Sequence, residues 1–296
     1  MVLAQAFVAL ALATLALGCC ARPASRAEAM ARAGAGDVAR VQPPAPAAGV
    51  VAAAARARAC PPEMALVGTT CVDRWEAHLV LPTGERASPY DRPREGVRHQ
   101  ARSAPGVVPQ GYVSRVEASA ACRDAGKRLC FAREWLAACE GASRTRYPYG
   151  NAAREGACNT GKPHLMQKLF GPDTRIYTFE AHYNSPKLNR FPGFLSATGE
   201  HTGCVSEAGI HDMVGNLHEW VADPVDARFR KLLVERHADQ HVRDSATDGN
   251  GAFLGGFYST REQHGVGCSY ITPAHEPAYH DYSTGFRCCR DAAEQE

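Results

Sequence analysis

Ten cysteines spread through one folded stretch constrain this chain more than any other feature. The sequence contains twelve; setting aside the adjacent Cys19 and Cys20 leaves Cys60, Cys71, Cys122, Cys130, Cys139, Cys158, Cys204, Cys268, Cys288 and Cys289. An even set of this kind forms disulfides in an oxidising compartment, and a chain so cross-linked can fold with little regular secondary structure. No CxxC pair occurs and the spacings are wide, which argues against zinc. Spacing leaves the connectivity open: Cys60–Cys71 would close a short loop, and Cys139–Cys158 would tie a helix end to the loop after it. Each bridge stabilises the fold by about 2–4 kcal/mol through the unfolded chain it restricts.

Residues 1–18, MVLAQAFVALALATLALG, form an uncharged apolar run that ends in small residues. It reads as an export signal, although its n-region lacks Lys and Arg. Ala16-Leu17-Gly18-Cys19 resembles a bacterial lipoprotein box, which implies cleavage before Cys19 and acylation of that cysteine; the alternative is ordinary secretion with cleavage nearby. The expected location is the bacterial cell envelope, as an outer-membrane or periplasm-facing lipoprotein held to the membrane by its lipid anchor. Residues 20–59 are rich in Ala, Arg and Pro, cannot bury a core, and read as a disordered tether. Formal charge is +2 and no basic block interleaves with aromatics, so nothing points to nucleic acid.

The folded part is expected over residues 60–291. Glu63–Val67 and Val72–Leu79 read as strands around a GTT turn, with Asp73, Trp75 and Glu76 standing out. Ser114-Arg115-Val116-Glu117 is a capping box opening a helix that stops at Gly126. A second helix, AREWLAAC, presents Trp135 and Leu136 on an apolar face and ends at Gly141. The stretch from Ala152 to Cys204 reads as long loops, and Ala227–Gly251 as a polar surface excursion. FLGGFYS and TGFRCC read as strands.

Within Gly209–Asp223, GIHDMVGNLHEWVAD, neither a period of two nor one of 3.6 holds. An irregular turn buried in a core must find partners for its stray carbonyls. Asp212 and Glu219 can supply carboxylates, with the carbonyls of Gly215 and Leu217 between them, a set of oxygen ligands that calcium accepts. The plainer alternative is that Asp212 caps a turn and Glu219 pairs with an arginine.

Cys71-Val72-Asp73-Arg74-Trp75-Glu76, Gly126-Lys127-Arg128-Leu129 with Glu134-Trp135, Tyr147-Pro148-Tyr149-Gly150, Gly209–Trp220, Gly255-Gly256 and Gly285-Phe286-Arg287 together resemble the formylglycine-generating enzyme family, also called the sulfatase-modifying factor domain. The resemblance implies one α+β domain related to C-type lectins, loop-rich and disulfide-stapled. It also implies structural calcium at Asp212, Gly215, Leu217 and Glu219, two through side chains and two through carbonyls. A second calcium site would begin near Asn159 and Thr160, without a clear acidic match further on.

Catalytic members hold copper(I) on two cysteines shortly after the Gly-Gly strand. Here Thr260 and Gly265 stand at those two places, so copper-dependent formylglycine formation is not expected. Cys268, three residues late, is expected in a bridge. Phe131 stands where the family has a helix-capping Thr. The leading expectation is a domain whose cleft, around Tyr258, Thr260 and His264, binds a peptide or other extracellular ligand. The rival is an oxidoreductase of the non-haem iron type, with His264 and Cys268, or His275 and His280, as ligands. HEPAYH is only superficially HExxH, because the second His is one residue too far and Pro277 obstructs the helix. Oxidation of a sulfatase-type cysteine is the weakest of the three.

Overall fold

The computed structural model describes residues 58–294. The signal, the lipobox cysteine and nearly all of the tether expected from the sequence lie outside the described residues. Among the described residues no helix is long and apolar enough to cross a membrane.

The chain enters through β1 (Arg58–Ala59), β2 (Met64–Val67) and β3 (Thr70–Asp73), the last two forming the expected hairpin. The second expected strand is broken, because Arg74, Trp75 and Glu76 leave the ladder before β4 (Ala77–Val80) begins. That break lets the Glu76 carboxylate turn inward, where it is 1% exposed. Strand β5 (Gln100–Ser103) pairs with β4 alone, antiparallel. Helix α1 (Arg115–Asp124) has the capping box read from sequence: Ser114 Oγ accepts from the Glu117 amide and Glu117 returns a bond to the Ser114 amide.

After β6 (Arg128–Leu129), α2 (Ala132–Glu140) starts at the exposed Phe131, which offers no capping side chain. Two carboxylates supply what a threonine would: Glu134 accepts from the Phe131 amide at 2.8 Å, and Asp223 accepts from the Ala132 amide at 2.6 Å. The stretch from Ala152 to Cys204 is loop-dominated as expected, with one short helix, α3 (Leu165–Phe170), and two helical turns after it. It still builds a cluster of its own, in which Leu165, Met166 and Leu188 pack with Tyr112, Tyr258 and Tyr282.

Strand β7 (His218–Pro224) is followed by α4 (Ala227–Glu235) and α5 (Gln240–Asp244), which correct the surface-excursion reading. Phe229, Leu232, Leu233 and Val242 recur at helical spacing in this segment and are buried in the main core with Trp135, Val221 and Ile271. The final strands are β8 (Gly251–Leu254), β9 (Ile271–His275), β10 (Thr284–Phe286), β11 (Cys288–Asp291) and β12 (Ala293–Glu294), which pairs with β1. FLGGFYS is therefore strand only as far as Leu254, because Gly255 and Gly256 take φ of 85° and 76°. TGFRCC is likewise split at Arg287.

The two larger sheets run β10-β7-β8-β9 and β2-β3-β11-β6. Five disulfides cross-link the domain: Cys60–Cys71, Cys122–Cys288, Cys130–Cys289, Cys139–Cys268 and Cys158–Cys204. Cys60–Cys71 is as expected. The Cys139–Cys158 pairing is wrong, because the end of α2 meets the turn before β9 rather than the loop that follows it in sequence. The described residues thus form one mixed α+β domain, loop-rich and disulfide-stapled as expected.

Candidate functional site

Four residues of the turn Gly209–Asp223 hold left-handed backbone: Gly209, Asp212, Gly215 and Asn216, with φ of 72°, 57°, 84° and 59°. Only glycine serves at 215, where a Cβ would come within 2.2 Å of the Asn159 carbonyl oxygen. A buried carboxylate holds the turn in shape. Glu76 accepts from Asn216 Nδ2 at 2.5 Å and from the Leu217 amide at 3.1 Å. Asn216 Oδ1 in turn accepts from Asn159 Nδ2 at 2.8 Å and the Ser196 amide at 3.0 Å. Asn159 is thus a hydrogen-bonding strut, although its Oδ1 is buried without a partner.

Glu219, on β7, meets Arg287, which is itself completely buried. The two guanidinium bonds are 2.6 Å each, and the Trp135 indole N–H donates to the same carboxylate at 2.7 Å. Arg287 also donates to the carbonyls of Asp73 and His211, so one cation fastens the turn to β3. The sequence reading that Glu219 pairs with an arginine describes this contact.

Charge at the turn is unbalanced: Glu76, Asp212 and Glu219 are buried carboxylates, and of the three Glu219 alone bonds the Arg287 guanidinium. Burial, and then repulsion from Asp212 and Glu219, push Glu76 well above the usual carboxylate range. Burial raises Asp212 to about 6 against the opposing pull of the Gly199 amide and Arg287. Asp212 Oδ2 accepts from that amide at 2.6 Å. Among the described residues no three His, Cys, Asp or Glu side chains converge as a metal-ligand group. A cation here would rest on Asp212 and the turn carbonyls and would have to share Glu219 with Arg287. These are oxygen donors of the kind calcium takes, and with Glu76 pushed toward its neutral form Asp212 and Glu219 carry the negative charge of the turn.

The second feature is a cleft of about 550 Å³ over the Gly255 turn, walled by Tyr147, Tyr149, Arg154, Thr260, Arg261 and Tyr270. Tyr147 and Tyr149 stack with ring centroids 5.3 Å apart, and the Arg154 guanidinium covers Tyr149 at 4.1 Å. Thr260 lies in this wall as the sequence reading expects. Its hydroxyl accepts from the Phe257 amide at 2.8 Å, so it closes the glycine turn. Gly265 has φ of 111°, and a Cβ there would stand 2.6 Å from the Ser269 carbonyl oxygen.

Tyr258 is not a cleft residue. It is completely buried and donates to Asn189 Oδ1 at 3.0 Å. His264 stands behind the wall against Tyr270, with ring centroids 5.5 Å apart. Cys268 is bound to Cys139 and cannot serve as a thiolate ligand beside His264. His275 stacks on Tyr279 at 4.0 Å, whereas His280 faces Phe179 and shares a 2.7 Å hydrogen bond with Asn184. Sequence reasoning missed Tyr270 and the Asp223 cap. It had flagged Glu76 and Arg287 as matching positions without reaching their partners, since a side chain's long-range contact leaves no local pattern.

A sequence model described as "Sulfatase-modifying factor enzyme 1-like domain" matches residues 67–292. No curated protein matches the chain. Among solved structures, the Major Tropism Determinant I1 variant is 14% identical over 81% of this chain and 55% of that one, with a TM-score of 0.43. The chain thus spans about half the length of that relative. PvdO from Pseudomonas aeruginosa is 15% identical over 75% of this chain and 80% of its own, with a TM-score of 0.41. CarF is 14% identical over 75% and 86%, with a TM-score of 0.40.

Proposed function

Because the chain belongs to the sulfatase-modifying factor enzyme 1-like family, we propose that it is an exported, lipid-anchored member whose cleft binds a peptide or other extracytoplasmic ligand without copper(I) chemistry. The observation that carries this reading is the pair of positions after Gly255-Gly256. One holds a threonine whose hydroxyl is committed to a backbone amide, and the other a glycine with no room for a side chain. Soft thiolates are what copper(I) requires, and the cysteine that follows in sequence is in a bridge. A ligand would lie along the stacked Tyr147–Tyr149 wall, with the exposed Arg154 and Glu155 on one rim and Arg261 and Glu262 on the other. Such a rim suits a chain carrying charges of both signs.

Calcium at Asp212, Glu219 and the carbonyls of Gly215 and Leu217 belongs to this proposal, as does acylation at Cys19. Five disulfides support an oxidising compartment. The test is incubation of the disulfide-intact protein with copper(I), oxygen and a CxPxR peptide, followed by mass spectrometry. Unchanged peptide mass, with backbone amides of the 147–156 and 255–266 segments protected from exchange by the peptide, is the expected result. A product carrying formylglycine defeats the copper-free reading. An unchanged mass without any protection defeats peptide binding at the cleft.

A further inference from the structure

A separate groove lies between α1 and the loop Arg92–His99. It encloses about 400 Å³, within the range of small-molecule sites, and its floor is Leu79, Val97, Val116, Ala120 and Ala278. Val116 is 56% exposed and Val97 37%, so this is apolar surface open to solvent. Two ion pairs tie the loop to the helix at either end of the groove: Arg92 with Glu117 at 2.9 Å and Arg98 with Asp124 at 3.0 Å. Glu117 and Asp124 are seven residues apart on the helix, which places the pairs roughly 10 Å from each other along its axis. Val116 and Ala120, four residues apart, line the slot between them, and the small side chain of Ala120 leaves it open.

Both acids on the helix wall are thus neutralised. Arg94, exposed at the mouth, pairs with no carboxylate among the described residues. It also lines the adjoining cavity, next to Arg86 and His99. Exposed Glu95 beside it is the opposing charge.

We infer that this groove binds an aliphatic carboxylate, with the acyl chain in the slot between the two ion pairs and the carboxylate on Arg94. The shape supplies the chain site, and the unpaired guanidinium supplies the partner that a carboxylate prefers. Nothing in this assignment uses the cleft at Thr260.

The test is calorimetric titration of decanoate into the full-length, disulfide-intact protein. Wild type is expected to bind saturably at one site, and decanol, which lacks the charge, about tenfold more weakly. Arg94→Gln should weaken decanoate about tenfold and leave decanol unchanged, whereas Glu95→Gln should not weaken it. Ala120→Trp fills the slot and should abolish both ligands, with its melting profile confirming the fold; if it misfolds, the Arg94→Gln comparison decides alone. Absence of saturable decanoate binding to wild type, or equal affinity in wild type and Arg94→Gln, overturns the assignment.

Discussion

At Gly265 the backbone decides more than the missing thiol does. A residue with a Cβ at that position meets both a left-handed φ and the Ser269 carbonyl 2.6 Å away, so restoring the cysteine pair strains the loop by about 1–3 kcal/mol. The variant Thr260→Cys/Gly265→Cys is expected to melt below wild type and to lose copper(I) to a competing chelator. Stoichiometric copper(I) retention at the wild-type melting temperature would contradict that. Asp212 carries a second prediction at this scale. Its folded pKa is raised, from 3.8 to about 6, so between those values the native state binds more protons than the unfolded state. Stability therefore falls as pH rises through that window, by on the order of 2 kcal/mol. Urea titrations in chelator from pH 4 to 7 should show the fall, and Asp212→Asn should flatten it. Calcium, by binding the ionised carboxylate, should remove the fall in wild type and raise its melting temperature by several degrees at saturating concentration. Identical wild-type profiles with calcium and chelator would remove calcium from the turn.

Helix α2 shows how an element can be legible while its support is not. Its apolar face and its glycine stop are local patterns, and both are observed. The vacancy left by Phe131 at its start is also legible, but the compensation comes from Asp223, ninety-one positions away. Asp223→Ala should lower unfolding stability by about 1 kcal/mol in chemical denaturation, the ordinary effect of a lost cap. No change would mean that the Glu134 bond to the Phe131 amide is cap enough. Helices α4 and α5 fail in the opposite direction. Their polar composition outweighs a few well-spaced apolar residues until the main core is present to receive them. Strand β7 has the same dependence, since its parallel partner β10 comes from the far end of the chain.

Over the whole molecule the bridges act as long-range ties. Four of the five join residues more than 40 positions apart, and Cys122–Cys288 spans 166. Loop-closure entropy assigns about 5 kcal/mol to that bridge and about 3 kcal/mol to Cys60–Cys71, whose separation is 11. Replacing Cys122 and Cys288 with serine should accordingly lower the melting temperature more than replacing Cys60 and Cys71; the reverse order would place the stabilisation in local contacts. The sequence by itself determined the family, the α+β class, the two amphipathic helices, the irregular buried turn and the even cysteine set, because each is written in local composition, spacing or motif order. Only the tertiary structure decided which cysteines pair, that Tyr258 belongs to the core rather than the cleft, and that Glu76 and Arg287 each brace the turn, one through Asn216 and Leu217 and the other through Glu219 and His211. Those outcomes depend on segments far apart in the chain competing for the same interior volume, and no local pattern encodes which of them arrives there.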